Sequence, residues 1–333
     1  MKILITAPYN QKARDQLEDQ IGEVVYHSWK DNGQTYSTAE LVQLLKETEA
    51  EGLITELDQV TEDVLKEVPS LRFIGVCRGT PSNVDVNAAT ERGIPVFYTP
   101  ARNAQAVAEM FVANLITFLR NTIPAVTWTK EGKWNGDPLT SYLHFKGNEL
   151  AGKTIGMVGF GAVGQRIAGL VQGFPCNIQF YDPYVQNEHP DYKQTTLEEI
   201  FTTSDIVSIH LPVTEQTKGM INHNLIALMK GDSILVNTAR AVVVEREALR
   251  SALKENKIRG AILDVFYHEP PDEIDWEMMN LPNVLATPHI AGATFEVEDH
   301  HAAIMNEAIM KWTANPNVPI KSLFNKSILH VKS

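Results

Sequence analysis

Apolar residues in this chain cluster in short runs that recur at regular intervals, with helix-like stretches between them. In the first hundred residues the runs are KILIT from Lys2, EVVYH from Glu23, GLIT from Gly52, FIGV from Phe73 and PVFY from Pro95. Thr38 to Thr48 and Thr61 to Val68 read as helices, with Thr61 as an N-cap ahead of Glu62 and Asp63. A second series starts near Gly152: TIGMVG from Thr154, IQFYD from Ile178, DIVSIH from Asp205, SILVN from Ser233, AILDV from Ala261 and NVLATP from Asn283. Gln165 to Val171 and Glu245 to Glu255 read as helices between them. Short continuous apolar runs are the mark of strands buried on both faces, so each series predicts a parallel sheet covered by helices. The fold class is therefore α/β, with two doubly wound parallel-sheet domains.

Ala104 to Arg120 reads as a long apolar helix that starts the second domain. Thr122 to Asn148 carries Trp128, Trp134, Tyr142 and Phe145 among Gly and Pro, and reads as irregular sequence whose aromatics either pack on their own domain or form a subunit interface. From about Glu296 the chain is again helical and is expected to cross back to the first domain. The expected division is 1–103 and 296–333 for one domain and 104–295 for the other.

Composition narrows the class. The 333 residues are 44% hydrophobic and 21% charged, ordinary for a globular protein, with a formal net charge of -12. So acidic a chain repels phosphate backbones, which argues against nucleic acid as a partner and requires an acidic substrate to be drawn in by local Arg or Lys. The two cysteines, Cys77 and Cys176, have no CxxC spacing and fit a reducing compartment. No apolar run nears the ~18 residues of a membrane span and the N-terminus reads as a strand, so the expected location is cytoplasmic. Adjacent His300 and His301 point apart on a helix, and no other Cys/His cluster appears, so no metal is expected.

Gly159-Phe160-Gly161-Ala162-Val163-Gly164 follows a strand and opens a helix. In this GxGxxG spacing Gly159 permits the turn, Gly161 lets backbone approach a pyrophosphate, and Gly164 lets helix and strand pack closely. The helix N-terminus, from Ala162 and Val163, supplies N–H donors. Asp182 ends the next strand 18 residues beyond Gly164, near the offset of the acid that binds the adenosine ribose. A carboxylate there accepts from both ribose hydroxyls and repels a 2′-phosphate, which favours NAD over NADP. Three polar residues follow later strands: Arg240 after SILVNTA, Glu269 after AILDVFYH and His289 after NVLATP. In doubly wound sheets ligands bind at these carboxyl ends. Taken singly, each has a plain alternative as a loop cation, a surface turn or a hydrogen-bonded structural histidine.

GFGAVG, NTAR, DVFYHEP and TPHIAG, in this order, resemble the D-isomer-specific 2-hydroxyacid dehydrogenases, which include phosphoglycerate dehydrogenase and glyoxylate/hydroxypyruvate reductase. AATERGIPV and NAQAVAE extend the resemblance through the first region. It implies a Rossmann NAD-binding domain inserted in a flavodoxin-like substrate domain that closes over the cleft, and a homodimer formed through the Trp-bearing arm. It implies that Arg240 grips the substrate carboxylate, that His289 exchanges a proton with the keto oxygen, and that Glu269 orients His289. Asp264 would lie near the nicotinamide, and His210, Thr217 and Thr238 would line the cofactor cleft. The expected reaction is hydride transfer at C2 of a small, anionic D-2-hydroxy or 2-keto acid, phosphorylated and sugar-derived acids included. A non-enzymatic NAD-sensing interaction protein on the same fold, as in the C-terminal-binding-protein corepressors, is the alternative of a different class. Formate and phosphonate dehydrogenases are a third.

Two departures from the family pattern stand out. Ala241 replaces the usual Gly after Arg240, which bears on the local turn because a Cβ resists positive φ. The substrate loop reads Cys77-Arg78-Gly79-Thr80-Pro81-Ser82-Asn83-Val84-Asp85, with Arg78 where Gly is common. Gly79 and Thr80 are expected to offer backbone N–H groups to a carboxylate. Arg78, together with Arg102, is a candidate for reading a second anionic or polyhydroxy group; pairing with an acid or pointing to solvent is the alternative.

Overall fold

The computed structural model describes residues 1–186 and 190–330. The chain divides into two compact units, Met1–Asn103 with Thr294–Ser333, and Ala104–Ala293.

The first unit has five strands, β1 (Ile3–Ile5), β2 (Val24–Tyr26), β3 (Gly52–Thr55), β4 (Phe73–Val76) and β5 (Val96–Tyr98), all parallel in the order β2-β1-β3-β4-β5. Successive strand residues face opposite sides of a sheet. Leu4, Leu53, Ile74 and Val96 accordingly pack into one apolar layer, and Ile3, Ile5, Phe73 and Phe97 into the other. Because both faces are covered, the strands read as unbroken apolar runs. The helix Gln11–Gln20 escaped the pattern because it buries only Ala13 and Leu17 and is otherwise polar. Thr61 does precede the helix Glu62–Glu67, but its hydroxyl makes no capping bond.

The returning helix, Glu296–Ala314, covers one face of this sheet through Ala302, Met305, Ala308 and Ile309. A polar knot fixes it. The buried Asn306 amide accepts from the Tyr9 hydroxyl at 2.6 Å and donates to the Ala13 carbonyl and to Gln16 Oε1, each at 2.9 Å.

The second unit continues with β6 (Thr154–Val158), β7 (Asn177–Tyr181), β8 (Lys193–Gln194), β9 (Ile206–Ile209), β10 (Ile234–Asn237), β11 (Gly260–Leu263) and β12 (Val284–Ala286). These are parallel in the order β12-β11-β10-β9-β6-β7-β8. The chain winds outward from β6 in both directions, so the order reverses between β6 and β9, the point at which open α/β sheets form a ligand crevice. The two polar, exposed residues of β8 carry no pattern from which a strand is readable. The stretch from Thr122 to Asn148, expected to be irregular, instead forms helices Thr122–Lys130 and Pro138–His144. Asp137 caps the second of these, and neither helix buries a residue of its own. Without a buried stripe, the periodicity that marks a helix was missing from the sequence.

The Asn306 knot yields a prediction. Asn306→Ala removes three side-chain hydrogen bonds, leaves the Tyr9 hydroxyl only its 3.1 Å bond to the Ala302 carbonyl, and should lower unfolding free energy by about 1–3 kcal/mol. Urea denaturation reads this directly, and an unchanged midpoint would show that the knot is not needed.

Candidate active site

The dinucleotide turn is built at the point where the strand order reverses. Gly159 has φ +92°, and a Cβ there would lie 2.8 Å from the His210 carbonyl oxygen at the end of the neighbouring β9. A Cβ on Gly164 would lie 2.8 Å from the Gly159 carbonyl oxygen. Both positions therefore require glycine for packing. Gly161 differs: a Cβ there meets nothing within 4 Å, so the absent side chain leaves open space in front of the helix Ala162–Val171. Gly161 is the N-cap of that helix and supplies no capping side chain, and Gln165 is where helical hydrogen bonding to the Gly161 carbonyl begins. The positive end of the helix dipole thus faces an open cradle, a fit for the pyrophosphate of a dinucleotide.

Asp182 follows β7. Its Oδ2 accepts from the Phe160 N–H within the glycine turn and its Oδ1 from the Tyr184 N–H, both at 2.8 Å. The carboxylate thereby ties the turn to the next strand and stays partly exposed. His210 follows β9. Its Nε2 meets Ser208 Oγ at 2.9 Å, while Nδ1 is buried without a partner among the described residues. Burial pushes its pKa down to about 4. The Thr238 hydroxyl, after β10, is likewise buried without a partner among the described residues. Orphaned buried polar atoms call for an occupant, and these two stand beyond β9, which flanks the crevice, and beyond β10 beside it. Thr217 differs, because its hydroxyl donates to the Pro212 carbonyl at 2.6 Å and accepts from the Thr214 N–H at 2.8 Å, closing its own turn.

Arg240, Glu269 and His289 follow β10, β11 and β12, three adjacent strands, so one edge of one sheet presents all three. Arg240 is exposed and its Nη1 donates back to the Ala239 carbonyl at 2.6 Å. Ala241 opens a short 3₁₀ turn, Ala241–Val243, and has no positive φ, so its Cβ brings no backbone strain where the family's Gly was expected. His289 Nδ1 lies 2.7 Å from Glu269 Oε2, and Glu269 Oε1 accepts from the Phe266 N–H at 3.3 Å. A carboxylate can only accept, so Nδ1 carries the proton and Nε2 is left for chemistry.

His289 itself has φ +54°, a left-handed backbone that costs a β-carbon-bearing residue about 1–3 kcal/mol. Asp264 imposes it. This carboxylate, 1% exposed, accepts from Thr287 Oγ1 at 2.6 Å, the Ile290 N–H at 2.9 Å and the Ala291 N–H at 2.8 Å. Expected at the cofactor, Asp264 is first of all the anchor of the loop that carries His289.

In the first unit, Arg78, Gly79 and Thr80 follow β4, again at a carboxyl edge. Gly79 and Thr80 are exposed, and the Arg78 guanidinium has no hydrogen bond or ion pair with any described residue. Arg102 is already engaged: its Nη2 lies 2.7 Å from Glu56 Oε1 and its Nη1 donates to His301 Nδ1 at 2.8 Å. The sequence did not reveal the ion-paired cluster of Arg246, Asp272 and Asp275 behind Glu269. The D-x-x-D spacing closely following Glu269 was its one trace.

A doubly wound sheet with this glycine turn and this edge defines a dinucleotide-binding oxidoreductase domain. Residues 112–291 match the family model described as D-isomer specific 2-hydroxyacid dehydrogenase, NAD binding domain. The chain is 60% identical over 329 residues to a protein of Bacillus subtilis (strain 168) named "Putative 2-hydroxyacid dehydrogenase YoaD", covering 99% of this chain and 96% of that one. It is 36% identical over 273 residues to the hydroxypyruvate reductase of Thermotoga maritima, covering 82% of this chain and 87% of that protein. Among solved structures it resembles D-2-hydroxyisocaproate dehydrogenase, with a TM-score of 0.81 and 25% identity over 96% of this chain and 98% of that one. The chain belongs to the D-isomer specific 2-hydroxyacid dehydrogenase family and is an NAD-dependent enzyme of that class.

The half-buried His210, its Nδ1 out of water, gives a pH prediction. Its depressed pKa means that unfolding releases an imidazole that binds a proton the folded protein refuses. Its contribution to stability is complete above about 6.5 and is lost as pH falls toward about 4. His210→Gln should flatten the fall in thermal midpoint over that window relative to wild type. Parallel curves for the two proteins would contradict it.

Proposed function

We propose that the chain interconverts a small D-2-hydroxy acid and its 2-keto acid, with Arg240, Glu269 and His289 as the catalytic residues. The observation that carries this reading is the 2.7 Å His289–Glu269 pair, on the same sheet edge as Arg240. Bound NAD supplies or accepts the hydride at C2. The glycine turn, with the N–H groups of Ala162, Val163 and Gly164, holds the pyrophosphate. Asp182 takes the adenosine ribose, and its charge disfavours a 2′-phosphate. His210 and Thr238 complete the crevice, with Thr217 shaping the loop beside it. Asp264 keeps lone pairs for the nicotinamide end, since three donors do not saturate a carboxylate.

On this reading the Arg240 fork binds the substrate carboxylate and draws charge toward the keto oxygen. His289 Nε2 gives that oxygen its proton during reduction and takes it back during oxidation. Glu269 holds Nδ1–H, so the ring cannot turn, and it offsets the charge of the imidazolium. Backbone N–H groups at Gly79 and Thr80 assist the carboxylate. Arg78, whose guanidinium has no partner among the described residues, reads an anionic or polyhydroxy tail such as a phosphate. Arg102 is committed to Glu56 and takes no such part.

The arm exposes Ile123, Val126, Trp134, Leu139, Tyr142 and Leu143. So many exposed apolar side chains within one short stretch suit a second copy of the chain, and we assign the homodimer to it. No helix among the described residues is long and apolar enough to cross a membrane. Both cysteines are free thiols, which fits the cytoplasm.

The test is NADH oxidation with glyoxylate, pyruvate, hydroxypyruvate, phosphohydroxypyruvate and longer sugar-derived keto acids. His289→Ala should lower kcat by roughly 10²–10⁴-fold with NADH binding retained. Arg78→Ala should raise KM for anionic-tailed substrates and leave glyoxylate unchanged. Full turnover without His289 would remove it from the chemistry, and an equal KM rise on all substrates would remove the tail-reading role of Arg78.

A further inference from the structure

We propose that Asp275 and Arg246 are positioning residues for Glu269, an inference that rests on Glu269 and His289 forming the proton-handling pair. Glu269 sits in an exposed loop between β11 and the helix Glu273–Met279. A side chain on such a loop holds a 2.7 Å bond to His289 only if the backbone leading into it is fixed. Two contacts fix it. Asp275, fully buried, accepts the His268 N–H through Oδ2 at 2.9 Å, at the residue immediately before Glu269. One residue further back, the Tyr267 ring lies under the Arg246 guanidinium, 5.1 Å from its centroid, and the Tyr267 hydroxyl donates to the Val244 carbonyl at 2.7 Å.

A buried carboxylate needs a counter-charge. Arg246 provides it, with Nη2 2.9 Å from Asp275 Oδ1. The same guanidinium forks onto Asp272, with Nη1 at 2.9 Å from Oδ2 and Nη2 on Oδ1. Asp272 in turn caps the following helix by accepting the Asp275 N–H at 2.8 Å. Arg246 is the first residue of the helix Arg246–Lys254, which buries Ala248, Leu249, Ala252 and Leu253. The chain of support therefore runs from a packed helix, through Arg246 and Asp275, to the His268 amide and so to Glu269. It mirrors the Asp264 anchor on the His289 side, so each member of the pair has its own buried carboxylate. His268, Asp272 and Asp275 also cluster closely enough to suggest a cation site. The Arg246 guanidinium already occupies the charged centre of that cluster, so the structure assigns it to support rather than to metal.

A mutant cycle separates positioning from general stability. Asp275→Ala should lower kcat for keto-acid reduction by about ten- to a hundredfold, with KM and the NADH dissociation constant little changed. In a Glu269→Ala background the same substitution should have no further effect on kcat, because what it positions is gone. Tyr267→Phe, which keeps the ring and loses one hydrogen bond, should show the same non-additivity at smaller amplitude. It serves also if Asp275→Ala does not fold. Multiplicative losses in the double variants, or a parallel fall in NADH affinity, would overturn the proposal. A Glu269→Ala variant with undiminished kcat would instead overturn the reading of Glu269 on which it rests.

Discussion

The site depends on a carboxylate that cannot be left alone. Asp264 lies at the end of β11, out of water, and a buried charge without donors costs several kcal/mol. The chain after β12 satisfies it by curling back and offering the Thr287 hydroxyl and the Ile290 and Ala291 amides. That curl places His289 in a left-handed conformation and sets its ring against Glu269. The strained backbone at His289 is thus a consequence of charge burial 25 residues earlier in sequence, and the placement of the His289 ring follows from it.

The sheet supplies the rest. Parallel strands end together, so residues from remote stretches of sequence arrive at one edge with no contact specific to them. Arg240, Glu269 and His289 are neighbours because β10, β11 and β12 are neighbours. The same logic places the glycine turn and His210 on either side of the β6–β9 junction, where Gly159 passes the His210 carbonyl too closely for any side chain.

Much of this was legible in the sequence, for identifiable reasons. The inner strands of both sheets are buried on two faces, so they appear as plain apolar runs. The glycines at 159 and 164 answer to steric limits, which a spacing motif records faithfully. Arg240, Glu269 and His289 could be singled out as candidates because each stands in the loop that follows a strand. What stayed hidden depends on partners distant along the chain. That Asp264 anchors the loop carrying His289 was not readable, because its donors at 287–291 lie beyond another strand. That the Thr217 hydroxyl closes a local turn was likewise unreadable. The Arg246–Asp275 support joins two helices whose contact no local pattern announces. The arm from Thr122 was read as irregular because its helices bury nothing within their own chain.

The central claim is that Glu269 fixes the His289 ring with its proton on Nδ1 and leaves Nε2 to exchange with substrate. Nitrogen-15 NMR of histidine-labelled protein tests this most directly, with the His289 signals assigned by their loss in His289→Ala. The account predicts that Nδ1 stays protonated throughout a pH titration, that Nε2 alone gains and loses a proton, and that Glu269→Ala abolishes this preference. A neutral His289 protonated on Nε2, or a tautomer indifferent to Glu269, would contradict it.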